Sequence, residues 1–316
     1  MKGEQKRQRH FTDSWLESRV SDQGFLMKVD SVMDWPVFDA LLSELYPPHG
    51  RPGHPPLLLF KMTLLQQWFG LSDPGVEAAC RDRISFHRFL GLSLGDAIPD
   101  ETTRVRFRQR LNGRDGMMDT LFQELDKQLA DRGMLIKRGT LIDASILPAA
   151  RRPPAKKGRD TADPEARWTT KNGKATHGYK LHVAVDRGSD MVRALAVTPA
   201  NVHDSQVCDE LIQGDEAMVL ADKAYHSQAR AASLESRGIL NGILRRGKRN
   251  RPLDELDQQI NAVLSKLRAA VERVFADWKT HRNLRRVRYV GLKKNRTHLM
   301  FMAMAHNMRC MVRVAG

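Results

Sequence analysis

Near residue 139 the spacing of apolar residues changes, and this limits the folds open to the chain. Before it, apolar positions recur at helical spacing: LLLFKMTLLQQWFG ends at Gly70, ISFHRFLGL spans 84–92 and DETTRVRFRQRL spans 100–111. After it, TLIDASIL (140–147) is a short apolar run broken by one acid, the pattern of a buried strand. YKLHVAVD (179–186) and VRALAVT (192–198), joined through RGSDM, predict a hairpin. AMVLAD (217–222) and GILRR (242–246) are two more strand candidates. Helices are expected from HDS (203–205), over 227–238, and in a long stretch beginning near Leu256 or Asp257. Helices followed by strand, hairpin, helix, strand, helix, strand, helix describe an all-helical region ahead of a mixed α/β domain. The expected division is 1–134 helical, 135–298 α/β, and 299–316 a C-terminal packing helix.

Local signals place several helix ends. Ser72 can cap the helix that Pro74 enters in its first turn, and Asp100 can cap the next but one. An amphipathic helix over 116–132 should stop at Gly133. Residues 1–55 are mixed, with a break at PPHGRPGHPP (47–56). Residues 149–180 read as a loop rich in Pro and Gly that carries nine basic residues against three acids.

Charge selects the partner. Lys and Arg number 52 against 37 Asp and Glu, a formal +15, which favours a polyanion such as double-stranded DNA. A basic ribosomal-type protein would share that balance, so charge alone does not fix the activity. Cys80, Cys208 and Cys310 are scattered with no CxxC, which supports neither a disulfide framework nor a thiolate zinc site. MKGEQKRQRH is too charged for a signal peptide, and HLMFMAMAHNMRCMV (298–312) is too short to span a bilayer. A soluble, cytoplasmic, nucleoid-associated protein with no membrane contact is the expectation. Arg104 and Arg108, with Arg106 and Arg110, suggest a DNA-binding helix in the first region; a helical bundle with a basic surface is the alternative.

Three acids draw attention. Asp143 interrupts an apolar strand, where a charge is costly unless paired or bound to metal. Asp222 closes the strand MVLAD at its C-terminal end, where α/β sheets build sites; strand-end capping is the alternative. Glu272 lies in RAAVERVFADWK (268–279), where Arg268, Glu272 and Lys279 fall within about 40° of one another on a helix. Leu264, Leu267, Val271, Val274, Phe275 and Trp278 form the neighbouring apolar stripe, so the charged line runs along the edge of the buried face. For Glu272 alone, a solvated salt bridge would suffice. Together the three carboxylates make an all-oxygen set suited to Mg²⁺ or Mn²⁺, with no soft ligand competing.

These motifs jointly resemble a DDE transposase of the insertion-sequence-five family, within the group sharing a YREK signature. Arg268, Glu272 and Lys279 match its Arg-x₃-Glu-x₆-Lys spacing, while Ser265 stands where the signature has Tyr. DKAY (222–225) matches the second-Asp motif, and LIDASILPA carries the first Asp. GYKLHVAVD, VTPANVHDS, QQWFGLSD, RFLGL and PDETTRVRFRQRL extend the likeness over nearly the whole chain. The resemblance implies a ribonuclease H-like mixed sheet with flanking helices, Asp143, Asp222 and Glu272 as metal ligands, and Arg268 and Lys279 on DNA phosphates. It also implies cutting at terminal inverted repeats and joining of 3′-hydroxyls to target DNA by a homo-oligomer. The family's frequent strand-rich insertion before the Glu-bearing helix is absent or very small here. Arg245, Arg246, Lys248, Arg249 and Arg251, in the tract RRGKRNR, are further expected phosphate contacts. Competing readings are a metal nuclease of the same fold without strand transfer and a transposase-derived DNA-binding protein without catalysis. His177, His182 and His203 are too irregularly spaced for a convincing metal site, and His203-Asp204-Ser205 reads better as a cap. Trp168 would either stack on a flipped base or anchor its loop to a core.

Overall fold

Capping residues set the helix ends of the N-terminal region. α1 (Phe11–Arg19), α2 (Phe25–Val32) and α3 (Trp35–Ser43) fill the part of mixed composition. α4 (Pro56–Phe69) ends at Gly70, whose φ of 62° suits a residue without Cβ. α5 (Asp73–Asp82) begins at Ser72, whose hydroxyl accepts the Gly75 N–H at 3.0 Å. α6 (Ile84–Leu90) follows, and α7 (Glu101–Gly113) is capped by Asp100, which accepts the Thr103 N–H at 2.6 Å. α8 (Met117–Asp131) stops just before Gly133, at φ 66°. The computed structural model describes residues 11–47, 49, 53–151, 163–247 and 252–315.

The chain divides into two units, Met1–Arg132 with Leu299–Gly316, and Gly133–His298. In the first, stacked and edge-on aromatic rings make the core: Phe38 lies 5.5 Å from Phe60, and Phe60 lies 5.3 Å from Phe301. Phe301 belongs to α11 (Leu292–Ala315), whose part from Leu299 onward packs here through buried Met300, Met302, Met304, Met308 and Met311. The Trp68 indole donates to the Ala305 carbonyl at 2.7 Å. No helix among the described residues is long and apolar enough to cross a membrane.

The second unit holds a six-stranded sheet of β1 (Thr140–Pro148), β2 (Arg167–Lys171), β3 (Lys174–Asp186), β4 (Val192–Pro199), β5 (Met218–Ala221) and β6 (Leu240–Ile243). Its order is β2-β3-β1-β5-β6, with β4 also paired to β3. β3 is antiparallel to β1, β2 and β4, while β1, β5 and β6 run parallel. This mixed, helix-flanked arrangement is ribonuclease H-like. α9 (Gln228–Ser236) precedes β6, and α10 (Glu255–His281) packs against β1 and β5.

Three expectations are corrected. The segment 149–180 is not all loop: 167–171 and 174–178 pair as a β-hairpin. Its turn, Asn172-Gly173, has φ of 51° and 75°, the left-handed pair that Asn-Gly favours and that the sequence displayed. Gly178 is where β3 meets both Pro148 and Arg167; a Cβ there would lie 2.1 Å from the Leu147 carbonyl oxygen. The helix expected from 203–205 is only two 3₁₀ turns, Asp204–Gln206 and Cys208–Leu211, although His203 does cap the first by accepting the Ser205 N–H. The last strand spans Leu240–Ile243 rather than 242–246.

His182, on β3, is fully buried with its ring nitrogen 3.1 Å from the Thr198 hydroxyl. Burial pushes its pKa down to about 4, Lys180 adds to the drop, and Asp204 opposes it. The unfolded ring takes up a proton near its ordinary value of 6.5 while the folded ring does not. This group therefore favours unfolding as pH falls from about 6.5 to about 4, with a limiting slope of about 1.4 kcal/mol per pH unit. His182→Gln should flatten that part of the stability curve in urea titrations at pH 7, 6 and 5. An unchanged slope would remove His182 as its source.

Candidate active site

Parallel pairing brings the two strand acids together. Ile142 of β1 is in register with Ala221 of β5, so Asp143 and Asp222 are the next residues on strands about 4.8 Å apart. Both carboxylates face the guanidinium of Arg268 on α10. Its two terminal nitrogens lie 3.8 Å from Asp143 Oδ1 and 3.9 Å from Asp222 Oδ1. The Arg268 side chain is 13% exposed, against 26% for Asp143 and 43% for Asp222. One part-buried cation is therefore shared by two part-open carboxylates. Asp143 Oδ1 also accepts the Ala144 N–H at 2.8 Å, and Asp222 Oδ1 accepts the Lys223 N–H at 2.7 Å, capping the turn that follows β5. Among the described residues, neither Oδ2 accepts a hydrogen bond. Asp222 thus performs the capping its sequence position allowed and keeps an oxygen in reserve.

Burial raises the pKa of Asp143, as does the Asp222 charge, while the Ala144 N–H, Arg268 and Lys171 oppose the rise. Lys279, on the same face of α10 as Arg268, has its pKa lowered by burial and by Lys171, against the pull of Asp143. Lys171 thus acts electrostatically on both Asp143 and Lys279, from the end of β2. The sequence counted it among the loop's basic residues but did not connect it with the acids; the Lys-Asn-Gly-Lys turn was the signal that could have done so.

Glu272 sits about one turn beyond Arg268, about 6 Å along the helix, and is exposed with no partner among the described residues. No group of three or more His, Cys, Asp or Glu there is gathered closely enough to hold a metal ion. The structure joins Asp143, Asp222 and Arg268, and does not gather Glu272 with them. The three histidines form no metal cluster either: His177 packs its ring 5.3 Å from that of Trp168, and His182 and His203 serve as described above. Trp168 itself is 56% exposed on β2 and is not anchored in a core.

The expected DNA contacts fare unevenly. Arg104 is fully buried and Arg108 nearly so. Arg108 makes a two-pronged ion pair to Asp73 at 2.8 and 2.9 Å, and Arg104 lies 3.6 Å from the same carboxylate. These two arginines are inward ties between α7 and α5, not phosphate contacts, because helix pitch sets 104 and 108 on the face of α7 that also buries Phe107 and Leu111. Arg106 is the exposed one between them. Arg245 is paired with Asp257 and holds Asn261 through its backbone, while Arg246 is exposed. Lys248, Arg249 and Arg251 lie outside the described residues.

Comparison with known families decides the class. The pattern described as Transposase DDE domain matches residues 117–308, and Transposase domain (DUF772) matches residues 14–110. The chain belongs to the transposase DDE domain family. It is a DDE-type DNA transposase, an enzyme acting on DNA with a divalent metal ion. A solved piggyBac transposase synaptic complex with hairpin DNA is similar at TM-score 0.46 and 10% identity, over 97% of this chain and 75% of that one. The Mos1 strand transfer complex is similar at TM-score 0.21 and 13% identity, over 84% and 81%. The residues of this DDE transposase suit such an ion. Asp143 and Asp222 are hard oxygen donors with an unclaimed oxygen each, and the Arg268 guanidinium already stands as a cation between them.

Proposed function

We propose that Asp143 and Asp222 hold the divalent ions, Mg²⁺ or Mn²⁺, with Glu272 supplying the third carboxylate. The observation that carries this reading is the pairing of Asp143 and Asp222 across parallel strands around one shared cation. The substrate is double-stranded DNA at the terminal inverted repeats of an element of the insertion-sequence-five type, and then target DNA. When bound, two such ions activate a water or 3′-hydroxyl and stabilise the leaving oxygen of the phosphodiester.

The chain's own groups supply position and counter-charge. Arg268 offsets part of the acid pair's charge in the free protein, and a DNA phosphate is the natural partner for its fork once other cations take the carboxylates. Lys279 and Lys171 place two further positive charges beside Asp143, where the strand carrying the scissile phosphate must run. Arg246 and the tract to Arg251 extend the contact along the backbone. In the cut, the water oxygen bonds to phosphorus as the bond to the 3′ oxygen breaks, leaving a 3′-hydroxyl. In joining, that hydroxyl oxygen bonds to a target phosphorus and a target 3′ oxygen leaves. Bringing two ends to one target calls for a homo-oligomer on DNA.

The test uses the full chain and a duplex carrying the element's ends, with Mg²⁺ or Mn²⁺. Asp222→Asn should bind the duplex as the wild type does and cut it at least about a hundredfold more slowly, the scale for loss of one electrostatic stabiliser. Equal cutting by the variant would remove Asp222 from the site.

A further inference from the structure

α10 is longer than the sheet it packs on. From Val271 onward its inner face is buried, through Val271, Val274, Phe275 and Trp278. The four turns before that contain no buried residue, yet the apolar stripe continues along the same face. Leu256 is 63% and Val263 59% exposed. With Gln259, Ile260 and Leu264 they line an open groove of about 320 Å³, with every lining residue drawn from α10 itself. Among the described residues, nothing else in the chain contributes to it. A stripe that is core at one end of a helix and half-buried or exposed at the other lacks a full cover among the described residues, because isolated exposed apolar side chains are ordinary but a continuous row is not.

The spacing indicates what covers it. Leu256, Ile260, Val263 and Leu267 are separated by four, three and four residues, the seam spacing of a coiled coil. Turned antiparallel onto itself, the row is self-complementary: Leu256 meets Leu267 of the other copy and Ile260 meets Val263, giving four apolar layers. Charge favours the same direction. The helix opens with Asp254, Glu255 and Asp257, and Lys266 flanks the seam at the other end. Antiparallel pairing sets Glu255 of each copy beside Lys266 of the other, and opposes the helix dipoles. Parallel pairing would set the acidic ends side by side.

We propose that the overhanging half of α10, residues 256–267, is the surface through which a second copy of this chain docks, as an antiparallel helix pair. This gives the homo-oligomer of the functional reading a defined contact, and it does not depend on metal or DNA. The seam is only about 17 Å long, eleven rises of about 1.5 Å from Leu256 to Leu267, well short of an obligate interface. The association is therefore concentration-dependent, with folded monomers on one side of the equilibrium.

Sedimentation velocity on the metal-free, DNA-free full chain tests this over a concentration series. The wild type should shift from monomer to dimer. Val263→Asp should weaken association by at least about tenfold, because the seam would bury two unpaired carboxylates, with an unchanged melting temperature since Val263 is exposed in the monomer. Lys266→Glu should weaken association, and adding Glu255→Lys in the same chain should restore it. That rescue is specific to the antiparallel register. A wild type that stays monomeric throughout, a Val263→Asp protein that dimerises as well as the wild type, or a double charge swap weaker than the single one would each overturn the proposal. So would a Val263→Asp protein that loses DNA binding with no change in sedimentation, which would assign the stripe to DNA. End cleavage by wild type and Asp222→Asn, measured separately, reports on the acid pair whatever the sedimentation result.

Discussion

Glu272→Gln should leave the protein folded and bound to its DNA ends, and lower end cleavage by about a hundredfold to a thousandfold. Stability should stay within about 0.5 kcal/mol of wild type, since Glu272 is exposed and has no partner among the described residues. The amide keeps the shape and hydrogen-bonding capacity of the side chain and removes the negative charge. Any large loss of rate then reports on that charge. Gel-shift binding and end cleavage, run side by side on the variant and the wild type, separate the two effects. The result matters because Glu272 is not gathered with Asp143 and Asp222 in the free protein. A variant that cuts at the wild-type rate would make Glu272 an ordinary surface residue. A variant that binds but does not cut would make it the ligand that completes the site when DNA and metal arrive.

The second large effect is on stability, in the first unit. Asp73→Ala should cost about 3–5 kcal/mol, the range for breaking a buried ion pair by removing one partner. Asp73 opens α5, accepts the Gln66 amide at 2.8 Å and takes both prongs of Arg108, with Arg104 close by. Burial works against its charge, but the Arg108 and Gln66 hydrogen bonds and the Arg104 charge outweigh it, so its pKa is lowered. Without Asp73, two buried guanidinium groups lose their shared carboxylate. Arg106→Ala, two residues from each of these arginines and exposed, should change stability by no more than about 0.5 kcal/mol. Urea unfolding of both variants checks the contrast. Similar losses for the two would mean that the Asp73 cluster adds nothing to stability.

The neighbours Arg104, Arg106 and Arg108 show where sequence reading ends. Composition marks α7 as basic, but four arginines at alternate positions of a helix fall on two opposite faces, 104 with 108 and 106 with 110. Only the position of Asp73 on α5 decides that 104 and 108 turn inward. The same limit applies to the β2–β3 hairpin, which the basic loop concealed although Asn172-Gly173 announced its turn. It applies again to 203–211, where helix-like sequence made only 3₁₀ turns.

What the sequence by itself determined was the set of elements with strong local physics. A strand must bury TLIDASIL, Ser72 and Asp100 must cap helices, and Arg268, Glu272 and Lys279 must share one line of α10, because period, capping and helix pitch act within a few residues. Asp143 stood out for the same reason, since a charge inside an apolar strand needs a partner wherever the strand goes. The tertiary structure decided which groups meet. Register between β1 and β5 placed Asp143 beside Asp222, and the packing of α10 across those strands put Arg268, rather than Glu272, between them. Packing on β1 and β5 decided where α10 is core, from Val271 onward, and left Leu256 and Val263 exposed. Such pairings depend on contacts between residues far apart in the chain, and local periodicity carries no information about them.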